Sequence, residues 1–140
     1  MVKLYTSKKI YIVKSKIKRA GRGVFAAQNM KKKEVIETYP IIEIPKNDVS
    51  NLKESILVNY YFYFGKKNEV LAIALGFGSI YNHSYGPNAT YKKRIKNKTI
   101  DFVAIKDIKK GEEITVNYNY GNPEDKSPLW IKGIPLYHSL

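Results

Sequence analysis

Asn82-His83-Ser84-Tyr85-Gly86-Pro87-Asn88 is the most distinctive run of this chain, and Gly111-Glu112-Glu113-Ile114-Thr115-Val116-Asn117-Tyr118, further along, is its companion. Neither reads as a common surface loop. In the first, Pro87 fixes φ and the Asn88 amide can tie a loop down. His83 is one of only two histidines, and a lone histidine beside apolar residues is more often structural than a ligand. The second reads as a charged turn followed by a strand from Ile114 to Tyr118, and a tyrosine closing a strand is ordinarily β-propensity alone. Toward the N-terminus lies Gly21-Arg22-Gly23-Val24-Phe25-Ala26. Gly-x-Gly by itself marks a tight turn, although the missing Cβ lets backbone amides and carbonyls approach a ligand closely.

Taken together, in this order and spacing, the three segments resemble the signatures of the SET-domain protein lysine methyltransferases. The block Leu75-Gly76-Phe77-Gly78-Ser79-Ile80-Tyr81-Asn82-His83-Ser84 is similar in particular to the minimal viral and bacterial forms. The resemblance runs from about residue 10 to 121, so residues 1–140 are expected to be a single domain with a tail, 122–140, completing the site. It implies a mostly β SET fold of several small sheets, one short helix and a knot-like C-terminal crossing. It implies transfer of a methyl group from S-adenosylmethionine to a protein lysine.

The residue roles follow from that resemblance. Ala20, Gly21, Arg22 and Gly23 are expected to contact the methionine portion of the cofactor, and Asn82 and His83 its amino group and adenine. Tyr118 matches the catalytic tyrosine. A phenol suits in-line attack by a neutral amine on a methyl carried by positive sulfur: its hydroxyl orients the amine and its ring face tolerates the cation. Tyr60, Tyr91 and Tyr120 are candidates for the lysine channel; for Tyr60 a core position on a helix face is equally open. Tyr91, with aliphatic Val116 two residues before Tyr118, resembles the arrangement that limits methylation to one or two groups. Trp130, the only tryptophan, with Leu129 is a candidate channel wall, or packs for stability alone.

The pattern reads as β-rich. Strands are expected at Ile10–Val13, Val24–Ala27, Glu34–Tyr39, Ile41–Ile44 and Ile114–Tyr118, with Pro40 and Pro45 as stops. Thr90–Ile95 and Thr99–Ile105 flank Lys96-Asn97-Lys98 as a hairpin. Residues Asp48 to Phe62 carry Leu52, Ile56 and Tyr60 in i, i+4 register, which predicts a helix capped by Asp48 or Ser50. Leu71 to Leu75 is an apolar run without a deciding period. A weak repeat relates Val24–Ile36 to Phe102–Ile114 at an offset of 78: Ala26, Lys31, Lys32, Glu34 and Ile36 recur as Ala104, Lys109, Lys110, Glu112 and Ile114. It reads as one hairpin-like unit used twice.

Composition narrows the alternatives. A 140-residue chain that is 44% hydrophobic can bury a core unaided. With no cysteine and two distant histidines, neither disulfides, thiol chemistry nor zinc is expected. Eleven asparagines argue against a hyperthermophilic source. No signal peptide or membrane-spanning run is visible, so a cytoplasmic protein, or one of the host nucleus if viral, is expected, as monomer or homodimer. The net charge of +13 admits nucleic acid contact through a basic surface, or only a solvated lysine coat. It is an awkward match to a lysine-rich substrate unless Glu37, Glu43, Asp48 and Glu54 form an acidic groove. A nucleic-acid-associated protein and a non-catalytic SET-like binding module are the competing readings.

Overall fold

The computed structural model describes residue 3 and residues 7–129. Two sheets carry the molecule. The first, in the order β1-β2-β9-β6, joins β1 (Ile10–Lys14), β2 (Arg22–Ala26), β9 (Glu113–Val116) and the two-residue β6 (Asn82–His83). The second runs β4-β5-β3-β8-β7, from β4 (Tyr61–Phe64) and β5 (Val70–Ala74) through β3 (Val35–Ile44) to β8 (Thr99–Ala104) and β7 (Ala89–Arg94). Neighbours are antiparallel except β6 and β9, which run parallel with Asn82 opposite Thr115 and His83 opposite Val116. The mostly β architecture with one short helix is the expected one.

Alternation decides which face each strand buries. In β1, Ile10 and Ile12 point inward; in β8, Ile100, Phe102 and Ala104 do. Phe102 is fully buried and gathers an aromatic cluster: Tyr81 stacks on it at 4.1 Å, with Tyr39 at 5.5 Å, Tyr91 at 5.8 Å and Phe62 at 6.3 Å. Removing such a ring from a core typically costs about 3–5 kcal/mol.

Three expectations about elements are corrected. Pro40 does not end a strand, since β3 runs through it. The strand changes partner there, pairing with β8 up to Pro40 and with β5 from Ile41. On the β5 side the Pro40 carbonyl accepts the Leu75 N–H at 2.9 Å, so the missing proline donor leaves no gap in that ladder. The long helix is absent: α1 spans only Val49–Lys53, and neither Asp48 nor Ser50 caps it through its side chain. Ser55 breaks it. Its backbone is extended, its hydroxyl donates to the Leu52 carbonyl at 2.8 Å, and the same oxygen caps a 3-10 turn, Ile56–Asn59, by accepting the Leu57 N–H. The aromatic run that follows then takes its β-preference as β4. Finally, β9 stops at Val116, so Tyr118 lies in a turn beyond the strand. The apolar run at Leu71 resolves as β5.

The repeat has a structural meaning. Its two copies pair with each other around an antiparallel bridge between Met30 and Ile108, residues 78 apart. The hydrogen bonds obey the same exchange. Ala26 N–H donates to Glu112 O at 2.9 Å and Ala104 N–H to Glu34 O at 2.9 Å. Lys32 N–H donates to Asp107 Oδ1 and Lys110 N–H to Asn29 Oδ1. Two copies of one strand-turn-strand unit thus form a local pseudo-two-fold that joins the sheets.

Candidate active site

An aromatic channel lined by Tyr118 and a buried polar pair on β6 build the site. A pocket of about 200 Å³ opens between β4, β7 and the turn after β9, and Tyr60, Tyr91, Tyr118 and Tyr120 all line it, together with Tyr81 and Val116. Four tyrosines from three distant segments therefore meet where the sequence reading expects a lysine channel. Tyr60 reaches it from the end of the 3-10 turn, so the helix-face alternative falls with the helix. Tyr91 stands edge-on to Phe62 at 5.1 Å, and Gly121 passes so close that a Cβ there would lie 3.2 Å from the Tyr91 carbonyl. Tyr120 has a positive φ of 56° and is 60% exposed, its ring tilted against Tyr63 at 5.4 Å. Leu129 also lines the pocket; its neighbour Trp130 lies outside the described residues.

Tyr118 is fixed at both ends. Its backbone N–H donates to His83 Nδ1 at 3.0 Å, and its hydroxyl donates to the Tyr81 carbonyl at 2.6 Å. Burial of the phenol, reinforced by Tyr60 and Tyr91 nearby, pushes its pKa well above the ordinary 10, so it stays neutral. With its proton committed to Tyr81, the oxygen presents lone pairs to whatever occupies the channel.

His83 and Asn82 sit on β6, directly against β9. Because His83 Nδ1 accepts from Tyr118, the ring proton resides on Nε2, and this buried atom has no hydrogen-bond partner among the described residues. Burial depresses the His83 pKa from 6.5 to about 4, which keeps the ring neutral. Asn82 donates from Nδ2 to Arg22 O at 3.0 Å and to Glu113 Oε1 at 2.8 Å, while its Oδ1 is buried without a partner among the described residues. One orphaned acceptor and one orphaned donor, side by side and buried, are the complement of a ligand carrying an ammonium and a hydrogen-bonding ring.

Glu113 is the residue that sequence reasoning missed. Its carboxylate accepts from the Ser15 hydroxyl at 2.7 and 3.0 Å, from the Lys16 N–H at 3.0 Å and from Asn82. It occupies the space left by Gly23, whose Cβ would fall 2.3 Å from Oε1. The glycine at that position therefore admits the chain's own carboxylate. Gly21, at φ 76°, makes the turn, its carbonyl accepting the Ser15 N–H at 2.8 Å; Ala20 is buried beside it, and Arg22 contributes its carbonyl to Asn82. Asn88 braces the assembly from β7's end, donating to Glu113 O and accepting the Thr115 N–H, both at 2.9 Å. The Gly-Glu-Glu run carried the only signal for Glu113.

The four candidates for an acidic groove lie away from the channel. None of Glu37, Glu43, Asp48 or Glu54 lines the pocket, and Glu43 instead faces Lys98 at 3.6 Å. Lys93 lines it, its ammonium held by the carbonyl of Gly65 at 3.2 Å and by Asn68 Oδ1.

Comparison with known proteins agrees with this geometry. The SET-domain family profile matches residues 21–119. The histone-lysine N-methyltransferase of Schizosaccharomyces pombe named as H3 lysine-37 specific is 32% identical over 100 residues, which are 71% of this chain and 67% of that protein. Human histone-lysine N-methyltransferase 2D is 30% identical over 131 residues, 86% of this chain but 2% of that much longer protein. Among solved structures, a candidate histone methyltransferase of Plasmodium falciparum superposes with a TM-score of 0.66 at 35% identity, covering 81% of this chain and 96% of its own.

Proposed function

The chain belongs to the SET-domain family of protein-lysine methyltransferases, and from that premise we propose that it moves methyl groups from S-adenosylmethionine to lysine side chains of a protein substrate, histones being one candidate class, and stops mainly at one or two methyls. The observation that carries the reading is the convergence of Tyr60, Tyr91, Tyr118 and Tyr120 on one pocket, with the unpaired Asn82 Oδ1 and His83 Nε2 buried behind Tyr118.

Bound S-adenosylmethionine supplies an electrophilic methyl on a positively charged sulfur. Asn82 Oδ1 would accept from its ammonium and His83 Nε2–H would donate to its adenine. The target amine must arrive neutral, with its lone pair toward the methyl. Tyr118 Oη accepts one amine N–H and so turns that lone pair in line. With the lone pair so aligned, the bound cofactor would supply its methyl to the amine and keep the carbon–sulfur electron pair on sulfur. The product nitrogen carries the positive charge, which the faces of the channel tyrosines favour. The same rings exclude water.

Tyr91 and the fully buried Val116 shape the channel's inner end. A phenol and an aliphatic side chain lining one pocket support restriction to few methyls. The Leu75–Ser84 block, together with the lack of cysteine within these residues, supports a likeness to the small viral and bacterial members.

Calorimetry with S-adenosylmethionine and its demethylated product is the test. Saturable binding is expected, and Asn82→Ala should weaken it by roughly 1.5–3 kcal/mol, the worth of a hydrogen bond to a charged group. Absence of wild-type binding at millimolar cofactor overturns the reading. Mass spectrometry of lysines modified by Tyr91→Phe should show more methyls per lysine than wild type; an unchanged spectrum removes Tyr91 from that role.

A further inference from the structure

The pseudo-two-fold has a chemical consequence apart from the channel. The Met30–Ile108 bridge is antiparallel, so the turn carrying Lys31, Lys32 and Lys33 and the turn carrying Lys109 and Lys110 leave it in opposite directions, the first along Ala104–Asp107 and the second along Ala26–Asn29. All five lysines are exposed. Among the described residues only Lys31 is ion-paired, loosely, to Asp107 at 3.9 Å; Lys32, Lys33, Lys109 and Lys110 are not.

The Lys109–Lys110 turn borders a concavity. Lys3, Ser7, Lys8, Tyr11, Lys110 and Gly111 line it, and it shares no residue with the channel pocket. Tyr11 forms part of its wall, stacked on Phe25 at 5.8 Å with the Lys3 ammonium 4.6 Å from the ring centre. A concave surface lined by one sign of charge focuses its field and concentrates the opposite charge. Several unpaired ammonium groups, a hydroxyl and an aromatic face in one place are the chemistry that receives a chain of phosphates.

We propose that the Lys109–Lys110 turn and the Lys3–Lys8–Lys110 concavity form a binding surface for the phosphate backbone of a nucleic acid. A membrane surface fits less well, because headgroup-layer binding needs apolar side chains around the lysines. Among the described residues a single exposed large apolar side chain, Val35, stands next to a lysine turn, and the others, Ile42, Leu57 and Tyr120 among them, belong to other elements. The site is independent of the channel. A nucleic acid held there would bring its own bound proteins to the enzyme, which offsets the repulsion between a +13 chain and a basic substrate.

The test is fluorescence anisotropy of the whole protein with a labelled DNA duplex and a labelled single-stranded RNA, across about 50–200 mM salt. Neutralisation of about four phosphates gives a slope of log K against log salt near −4. Lys8→Gln/Lys110→Gln should shallow that slope by about 2 with an unchanged melting temperature. Lys46→Gln/Lys53→Gln, exposed lysines beside α1, should leave the slope as it was. Tighter binding of either the duplex or the RNA supports the surface and identifies which nucleic acid it prefers. Equal losses in both double variants would reveal an undirected lysine coat and overturn it. So would binding to vesicles of anionic phospholipid in preference to both nucleic acids, or no binding at the low-salt end.

Discussion

At the scale of single residues, His83 and Tyr118 form one device, since the ring nitrogen that accepts the Tyr118 N–H is also the one that acid would protonate. Tyr118→Phe removes the 2.6 Å hydrogen bond to Tyr81 and little volume. The expected result is a fold weakened by only about 0.5–1.5 kcal/mol, with methyl transfer down by roughly 10²-fold or more because the amine loses its orienting oxygen. Thermal melts and a turnover assay separate the two effects, and near-normal turnover would refute the role. His83 gives a pH prediction with a definite sign. Its pKa is about 4 when folded against an ordinary 6.5, so the unfolded chain binds more protons between those values. The stability it contributes is complete above pH 6.5 and declines as pH falls toward 4. Denaturant titrations of wild type and His83→Gln should show the variant with a flatter profile in that window. Parallel profiles would show that other groups govern acid sensitivity.

At the scale of elements, the contact between β2 and β9 is tight at Gly23 and nowhere tighter for Glu113. Gly23→Ala puts a methyl 2.3 Å from Glu113 Oε1, the carboxylate oxygen that holds Ser15 and Asn82. Overpacking of this kind costs about 1–3 kcal/mol, and the displaced Asn82 should weaken cofactor binding as well. Gly86→Ala meets nothing within 4 Å and has no positive φ, so its cost should fall within about 0.5 kcal/mol. Urea unfolding of the two variants side by side checks the contrast; equal losses would mean that Glu113 moves aside freely.

At the scale of the whole molecule, the sequence offers no cysteine for a covalent staple. Among the described residues no group of three histidine, cysteine, aspartate or glutamate side chains is placed to hold an ion. A chelator should therefore leave both melting temperature and methyl transfer unchanged, and stoichiometric metal in the purified protein, measured by elemental analysis, would contradict that. Among the described residues no helix is long and apolar enough to cross a membrane.

The sequence by itself determined the family, the β-rich class, the hairpin at Lys96–Lys98 and the identities of the residues that meet at the site, because those depend on short-range chemistry: glycines where backbones approach, a proline-asparagine brace, a tyrosine after a charged turn. Even the repeat was legible as spacing. Its pairing was not, since a self-complementary bridge between Met30 and Ile108 exists only after the two copies are brought together. Tertiary structure likewise decided that β3 passes through Pro40, because the proline falls where one partner strand gives way to another. Periodicity suggested a long helix through Tyr60, but Ser55 satisfied its own local hydrogen bonds and the β5 edge claimed the aromatic run. The role of Glu113 and the place of Lys93 at the channel were invisible for the same reason. Each depends on partners between 25 and 98 residues away in sequence, and a charge's meaning is set by what surrounds it.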